Sequence, residues 1–172
     1  AEVNRDQNHM WFNIYDATNG KKIKTLFEER NNKWVEPEHA AVFLPNSNSE
    51  FLWLSERDGF MNLYKYDINS SNVSPLTNFS WVIKAIVGFD EGGKNVIILG
   101  TGNDGRETRA YKINLKNGKF ELLTKEPGSH SIQISSDGKY ILDSYSSMEA
   151  PKVVKRKSIK TGKEETMYTS KN

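Results

Sequence analysis

The chain repeats itself, and the repeat limits its fold more than any other feature. Four segments superimpose as strand, polar turn, strand: WFNIYDATNGKKIKTLF from Trp11, NLYKYDINSSNVSPLT from Asn62, RAYKINLKNGKFELLT from Arg109 and VVKRKSIKTGKEETMYT from Val153. Their turns are Asn19-Gly20, Ser70-Ser71-Asn72, Asn117-Gly118 and Thr161-Gly162. Gly or Asn is expected to supply the positive φ that each tight hairpin needs. Leu26, Leu76 and Leu123 close the first three segments at intervals of about 50 residues, the scale of a repeated supersecondary unit.

A second pair of strands recurs between these hairpins: AAVFL with FLWLSE, AIVGF with NVIILGT, and SIQIS with YILDSYS. Their turns run through Pro45 to Asn48, Glu91 to Gly93 and Ser136 to Gly138, and Asp58-Gly59 and Asp104-Gly105 punctuate the links into the next strand. Each unit therefore reads as four antiparallel strands. Phe51 to Leu54 and Val96 to Leu99 are apolar at consecutive positions, which requires cover on both faces. Lys152 to Ser158 is far more polar, as expected of a rim. Period, turn chemistry and this polarity gradient favour a β-propeller over a sandwich. Helical periodicity is absent, and Thr25 to Asn32 holds one turn at most.

The expected fold is an all-β, incomplete propeller of about three and a half blades. A half blade spans 8–27, and full blades span 38–77, 84–124 and 130–169, all within a single 1–172 section. Closed propellers have roughly 4 to 8 blades, so the section is expected to be part of a longer one. Exposed strand edges and an uncovered blade face at each end predict self-association, as a symmetric dimer.

Composition narrows the function classes. The 24 basic and 22 acidic residues are spread along the chain, so no large field draws it to nucleic acid or anionic lipid. The absence of cysteine removes disulfides, thiolate metal sites and a cysteine nucleophile. No stretch has the roughly 18 apolar residues of a membrane span, and residues 1–7 lack signal-peptide character.

The wording inside the repeats is more specific than its pattern. NRDQN at 4–8, WLSERDGFMNLY at 53–64, TKEPGSHS at 124–131, SSDGKY at 135–140 and DSYSSMEAP at 143–151 occur in order. Together they resemble the N-terminal propeller of dipeptidyl peptidase IV, in its bacterial form, within the prolyl oligopeptidase family of serine peptidases. The resemblance implies an eight-bladed parent propeller followed by an α/β-hydrolase domain that removes N-terminal dipeptides, often Xaa-Pro, from peptides. It also implies that this chain is the C-terminal part of the propeller, partnered by the remaining blades and the hydrolase domain, in a periplasmic or envelope-associated enzyme. The alternative is a stand-alone periplasmic scaffold of the TolB type.

No catalytic residue is expected here. The parent chemistry needs a serine on a G-x-S-x-G turn with a histidine and an acid, and no such turn occurs in the sequence. No metal site or cofactor is expected either. Glu36, Glu38 and His39 read as a polar strand start, since no second His stands at ligand spacing. Family members grip the substrate ammonium with a glutamate pair, but Glu28-Glu29 and Glu164-Glu165 lack its aromatic context and read as solvated surface carboxylates. Mammalian members also place an aromatic and an arginine near the substrate from the loop that here reads KWVEPEH. Here that loop is shorter and no Arg follows, which leaves Trp34 as the one candidate substrate contact. His130 is expected to make a structural hydrogen bond, Arg57 to reach a neighbouring blade, and the basic stretch 152–163 to form a solvated edge.

Overall fold

The computed structural model describes residues 1–37 and 39–170. All regular structure in it is β. The first sheet holds β1 (Glu2–Val3), β2 (His9–Tyr15) and β3 (Lys22–Arg30) in that order. The second holds β4 (Val42–Phe43), β5 (Glu50–Ser55), β6 (Asn62–Asp67) and β7 (Val73–Pro75). The third holds β8 (Ile83–Phe89), β9 (Asn95–Gly100), β10 (Arg109–Asn114) and β11 (Phe120–Leu122), and the fourth β12 (Ser129–Ile134), β13 (Tyr140–Ser146), β14 (Val153–Ser158) and β15 (Glu164–Thr169). Every pairing between these strands is antiparallel between sequence neighbours, which is the meander of a propeller blade. The chain divides into two compact units, one of residues Ala1–Pro75 and one starting at Leu76.

Two local expectations change. The first sheet has a third strand, because Glu2 and Val3 pair with Trp11 and Met10. The segment after Thr25, read as one helical turn at most, is strand to Arg30: pairing of Phe27, Glu28, Glu29 and Arg30 with Phe12, Trp11, Met10 and His9 satisfies its backbone.

The first unit is built on aromatic rings. Met10, Leu26, Phe51, Trp53, Tyr64 and Tyr66 form its buried core, with Phe12 and Phe27 packed against it. Phe27 stacks on Tyr66 at 4.1 Å between centroids, and Phe51 stacks on Tyr66 at 5.4 Å. The second unit has an aliphatic core of Ile97, Ala110, Leu123, Ile132, Ile141 and Ile159. Strands β5 and β9 carry consecutive buried residues, Phe51 to Leu54 and Val96 to Ile98, while Leu99 is half-buried.

The turns follow the sequence with one exception. Gly118 has φ +69° and a Cβ there would lie 2.1 Å from the Leu76 carbonyl oxygen, so the position excludes any side chain. Between β6 and β7 the positive φ falls on Ser71, at 56°, and not on Asn72. Ser70 Oγ donates to Asp67 and accepts from the Asn72 amide, and Asp67 also accepts from the Asn69 amide, so side chains brace the turn.

Candidate functional site

The first unit contains a cleft of about 640 Å³, including its open mouth, between the 31–37 linker, the end of β3 and the β5–β6 turn. The linker is fixed by backbone. Asn31 donates its amide to the Asn8 carbonyl, Val35 donates to the Gln7 carbonyl at 2.6 Å, and Lys33 donates to the Asn31 side chain. The receiving end is the NRDQN segment, where Asn4 Oδ1 accepts from the Asn8 and His9 amides and Asn4 Nδ2 donates to Asn8 Oδ1 at 2.8 Å. This motif is therefore a knot that holds the linker to the first sheet. The linker presents Trp34 with 53% of its surface exposed.

The opposite wall is organised by Arg57. Its backbone and Nε both donate to Ser55 Oγ, a local turn at the end of β5. Its guanidinium lies 4.5 Å over the Tyr64 ring and donates to the Tyr66 hydroxyl and to Glu29. Glu29 accepts a second hydrogen bond from Trp53 Nε1 at 3.1 Å, and only 11% of its side chain is exposed. The expectation of a solvated carboxylate is thus corrected for Glu29, because its position in β3 puts it against Trp53 and Arg57, two donors that need an acceptor. Glu28 stays exposed but is paired with His9 at 2.7 Å and Arg30 at 3.3 Å.

Burial pushes the Tyr66 phenol up to about 12, against the pull of the Arg57 guanidinium, so it remains a neutral hydroxyl. Burial also raises Tyr64, helped by its hydrogen bond to Asp58. The hydrogen bond from His9, with Arg30 beside it, holds Glu28 below the usual carboxylate range. The cleft is lined by acids, guanidiniums and indoles, and among the described residues no serine, histidine and acid stand there in relay. It can bind and orient a ligand by stacking and charge.

Residues considered separately in the sequence meet here: Trp34, Glu28, Glu29, Glu36 and Arg57 all line the one cleft. Glu38 lies outside the described residues. Among the described residues no three acidic or imidazole side chains converge as a metal-binding set. Trp53 and Glu56 also line the cleft and were missed as site residues; the only signal was their place in the WLSERDG segment.

His130 belongs to the second unit. It is 3% exposed, with Nδ1 at 2.8 Å from Asp143 and Nε2 at 2.9 Å from the Glu126 carbonyl, and it stacks on Tyr145. Both ring nitrogens are occupied, a structural arrangement. The basic stretch is not a solvated edge over β14, where Lys155 and Lys157 are shielded and paired. Lys157 is 5% exposed, with Nζ on the Leu123 carbonyl and on Glu164 at 2.7 Å, because β14 is an interior strand of its sheet. Arg156 pairs with Glu165, and Lys155 with Glu126 and Glu164.

Repeated four-stranded meanders place the chain in the β-propeller class, as an incomplete propeller, and the likeness to TolB from Acinetobacter baumannii agrees. That likeness has a TM-score of 0.61 at 18% identity over 92% of this chain and 37% of TolB, and it shows the fold alone. Residues 1–152 match the model of the dipeptidyl peptidase IV (DPP IV) N-terminal region, and the chain belongs to that family. A crystal structure assigned as a dipeptidyl aminopeptidase IV from Bacteroides ovatus superposes with a TM-score of 0.90 at 30% identity, covering 99% of this chain and 27% of that one. Porphyromonas gingivalis dipeptidyl peptidase 4 gives 0.84 at 25% identity, covering 97% and 24%. The chain thus spans about a quarter of the length of these two relatives.

Proposed function

We propose that this chain is a non-catalytic propeller section of a DPP IV-like serine exopeptidase, where it walls the active-site cavity and restricts entry to short peptide N-termini. The observation that carries this reading is the Trp34 cleft: a recess with an exposed indole and charged walls, on a chain of the DPP IV N-terminal family. The parent would be an eight-bladed propeller joined to an α/β-hydrolase domain and would release Xaa-Pro dipeptides in the periplasm or cell envelope. Blade divisions at 8–27, 38–77, 84–124 and 130–169 belong to the same proposal, as does self-association of the isolated chain. Trp34 is its substrate contact.

The test is a Gly-Pro amide reporter. The purified chain is expected to leave it intact, whereas a longer protein that joins the chain to a serine-elbow hydrolase is expected to cleave it. Turnover by the chain alone, or a continuing reading frame without such a hydrolase, contradicts the proposal. The second case would favour a TolB-like scaffold, for which the shared fold is the supporting observation.

A further inference from the structure

The carboxylates of the Trp34 cleft are not equivalent. Glu28 already accepts from His9 and Arg30, and Glu29 from Trp53 and Arg57. Glu36 on the linker and Glu56 on the β5–β6 turn are exposed and line the same cleft, and their carboxylates have no hydrogen-bond or ion-pair partner among the described residues. Trp34 stands with them, and Lys33 Nζ sits 5.9 Å from its ring centroid, so the indole face is already presented to a cation.

We propose that this cleft is a subsite for a basic peptide side chain, arginine in preference to lysine. An indole face attracts a cation through its quadrupole. A guanidinium adds a flat surface that stacks and a fork of donors that fits a carboxylate. The protein uses this arrangement once in the same recess, where Arg57 lies over Tyr64 while donating to Glu29. A ligand arginine would repeat it on Trp34 with Glu36 and Glu56. An acidic side chain would instead meet two unpaired like charges, which is the source of discrimination. A peptide's terminal ammonium is the poorer fit, because both members of the adjacent pair already face a guanidinium, Glu28 that of Arg30 and Glu29 that of Arg57. The inference rests on the proposed function only in taking the ligand to be a peptide; the preference for a cation stands on the cleft.

The experiment titrates the 172-residue chain with N-acetyl-arginine amide, N-acetyl-lysine amide, N-acetyl-norleucine amide and N-acetyl-glutamate amide, none of which has a terminal ammonium. The readout is the indole Nε1–H resonance of Trp34, assigned by its loss in Trp34→Ala. Arginine is expected to bind about tenfold more tightly than norleucine, lysine to fall between them, and glutamate to give no saturable shift. Added salt should weaken the arginine complex. Glu36→Gln with Glu56→Gln should weaken it about tenfold, with the remaining amide spectrum unchanged. Lys33→Ala should tighten it by removing the competing ammonium. Equal binding of arginine and norleucine, no shift with any probe, or indifference to the double glutamine variant would overturn the proposal. The peptidase reading fails separately, if a longer protein carrying this chain releases no dipeptides.

Discussion

The two units solve the same packing problem with different side chains. In the second, isoleucines seal β9, β12 and β13 together, and the buried polar groups, His130 with Asp143 and Lys157 with Glu164, are paired within the sheets or to the adjoining linker. In the first, aromatic rings dominate the buried cluster, and aromatic rings carry polar edges that aliphatic chains lack. The indole N–H of Trp53 and the hydroxyls of Tyr64 and Tyr66 need partners, and they find them in Glu29, Asp58 and Arg57. An aromatic core thus draws charged groups to its margin, and in this molecule the margin is the wall of a cleft. Recognition chemistry can arise as a by-product of core composition.

The largest effect expected is in the aromatic core itself. Phe51→Ala removes a ring that is 1% exposed and stacked on Tyr66, and should cost about 3–5 kcal/mol in urea unfolding. A loss below about 1 kcal/mol would mean that the rings are not close-packed, and the contrast with the isoleucine layer would break.

The margin is tested next. Arg57→Met should cost about 1–3 kcal/mol, because Glu29 would keep Trp53 but lose its counter-charge. Adding Glu29→Gln should recover part of that loss, a coupling that a double-mutant cycle reads directly. Asp143→Asn in the second unit should also destabilise but leave the Trp34 signal alone. If Arg57→Met left stability and the Trp34 signal unchanged, the margin would not organise the cleft.

A smaller effect is expected from pH in the second unit. The hydrogen bond from Lys157 holds Glu164 below the usual carboxylate range, so the carboxylate form is the one that the fold favours. Its contribution, of about 1 kcal/mol, is present above the unfolded value and is lost as pH falls through the lowered folded value. Acid unfolding followed on residues of β14 and β15 should show this component, and Glu164→Gln should remove it. An unchanged pH profile in the variant would contradict the pairing. The smallest effect is at the Ser71 turn, where Ser71→Gly should relieve the left-handed backbone and stabilise by about 0.5–1 kcal/mol.

The fold was largely legible because its information is local. Alternation, Asn-Gly and Asp-Gly turns and consecutive apolar runs each report on a few neighbouring residues, and they mark most of the strands. Ser71 departs from that logic because its turn is held by side-chain bonds from Asp67 and Ser70, which let a non-glycine occupy the strained position. Strand β1 was missed because two residues are too few to carry a period. The cleft was legible only in part. Trp34 could be singled out from the linker wording, but Glu29 reads as a solvated acid in any local window. Its partner Arg57 is 28 positions away, and only the pairing of strands brings the two together. Lys157 misled for the same reason, since basic wording describes an edge only if the strand is outermost.

The most direct test of Trp34 as the substrate contact is turnover of an Arg-Pro amide by a longer protein that carries the chain, measured before and after Trp34→Ala. A several-fold rise in KM with kcat retained is expected, as when a contact made equally in ground and transition state is lost. Unchanged kinetics, or a collapse of kcat with KM unaltered, would contradict it.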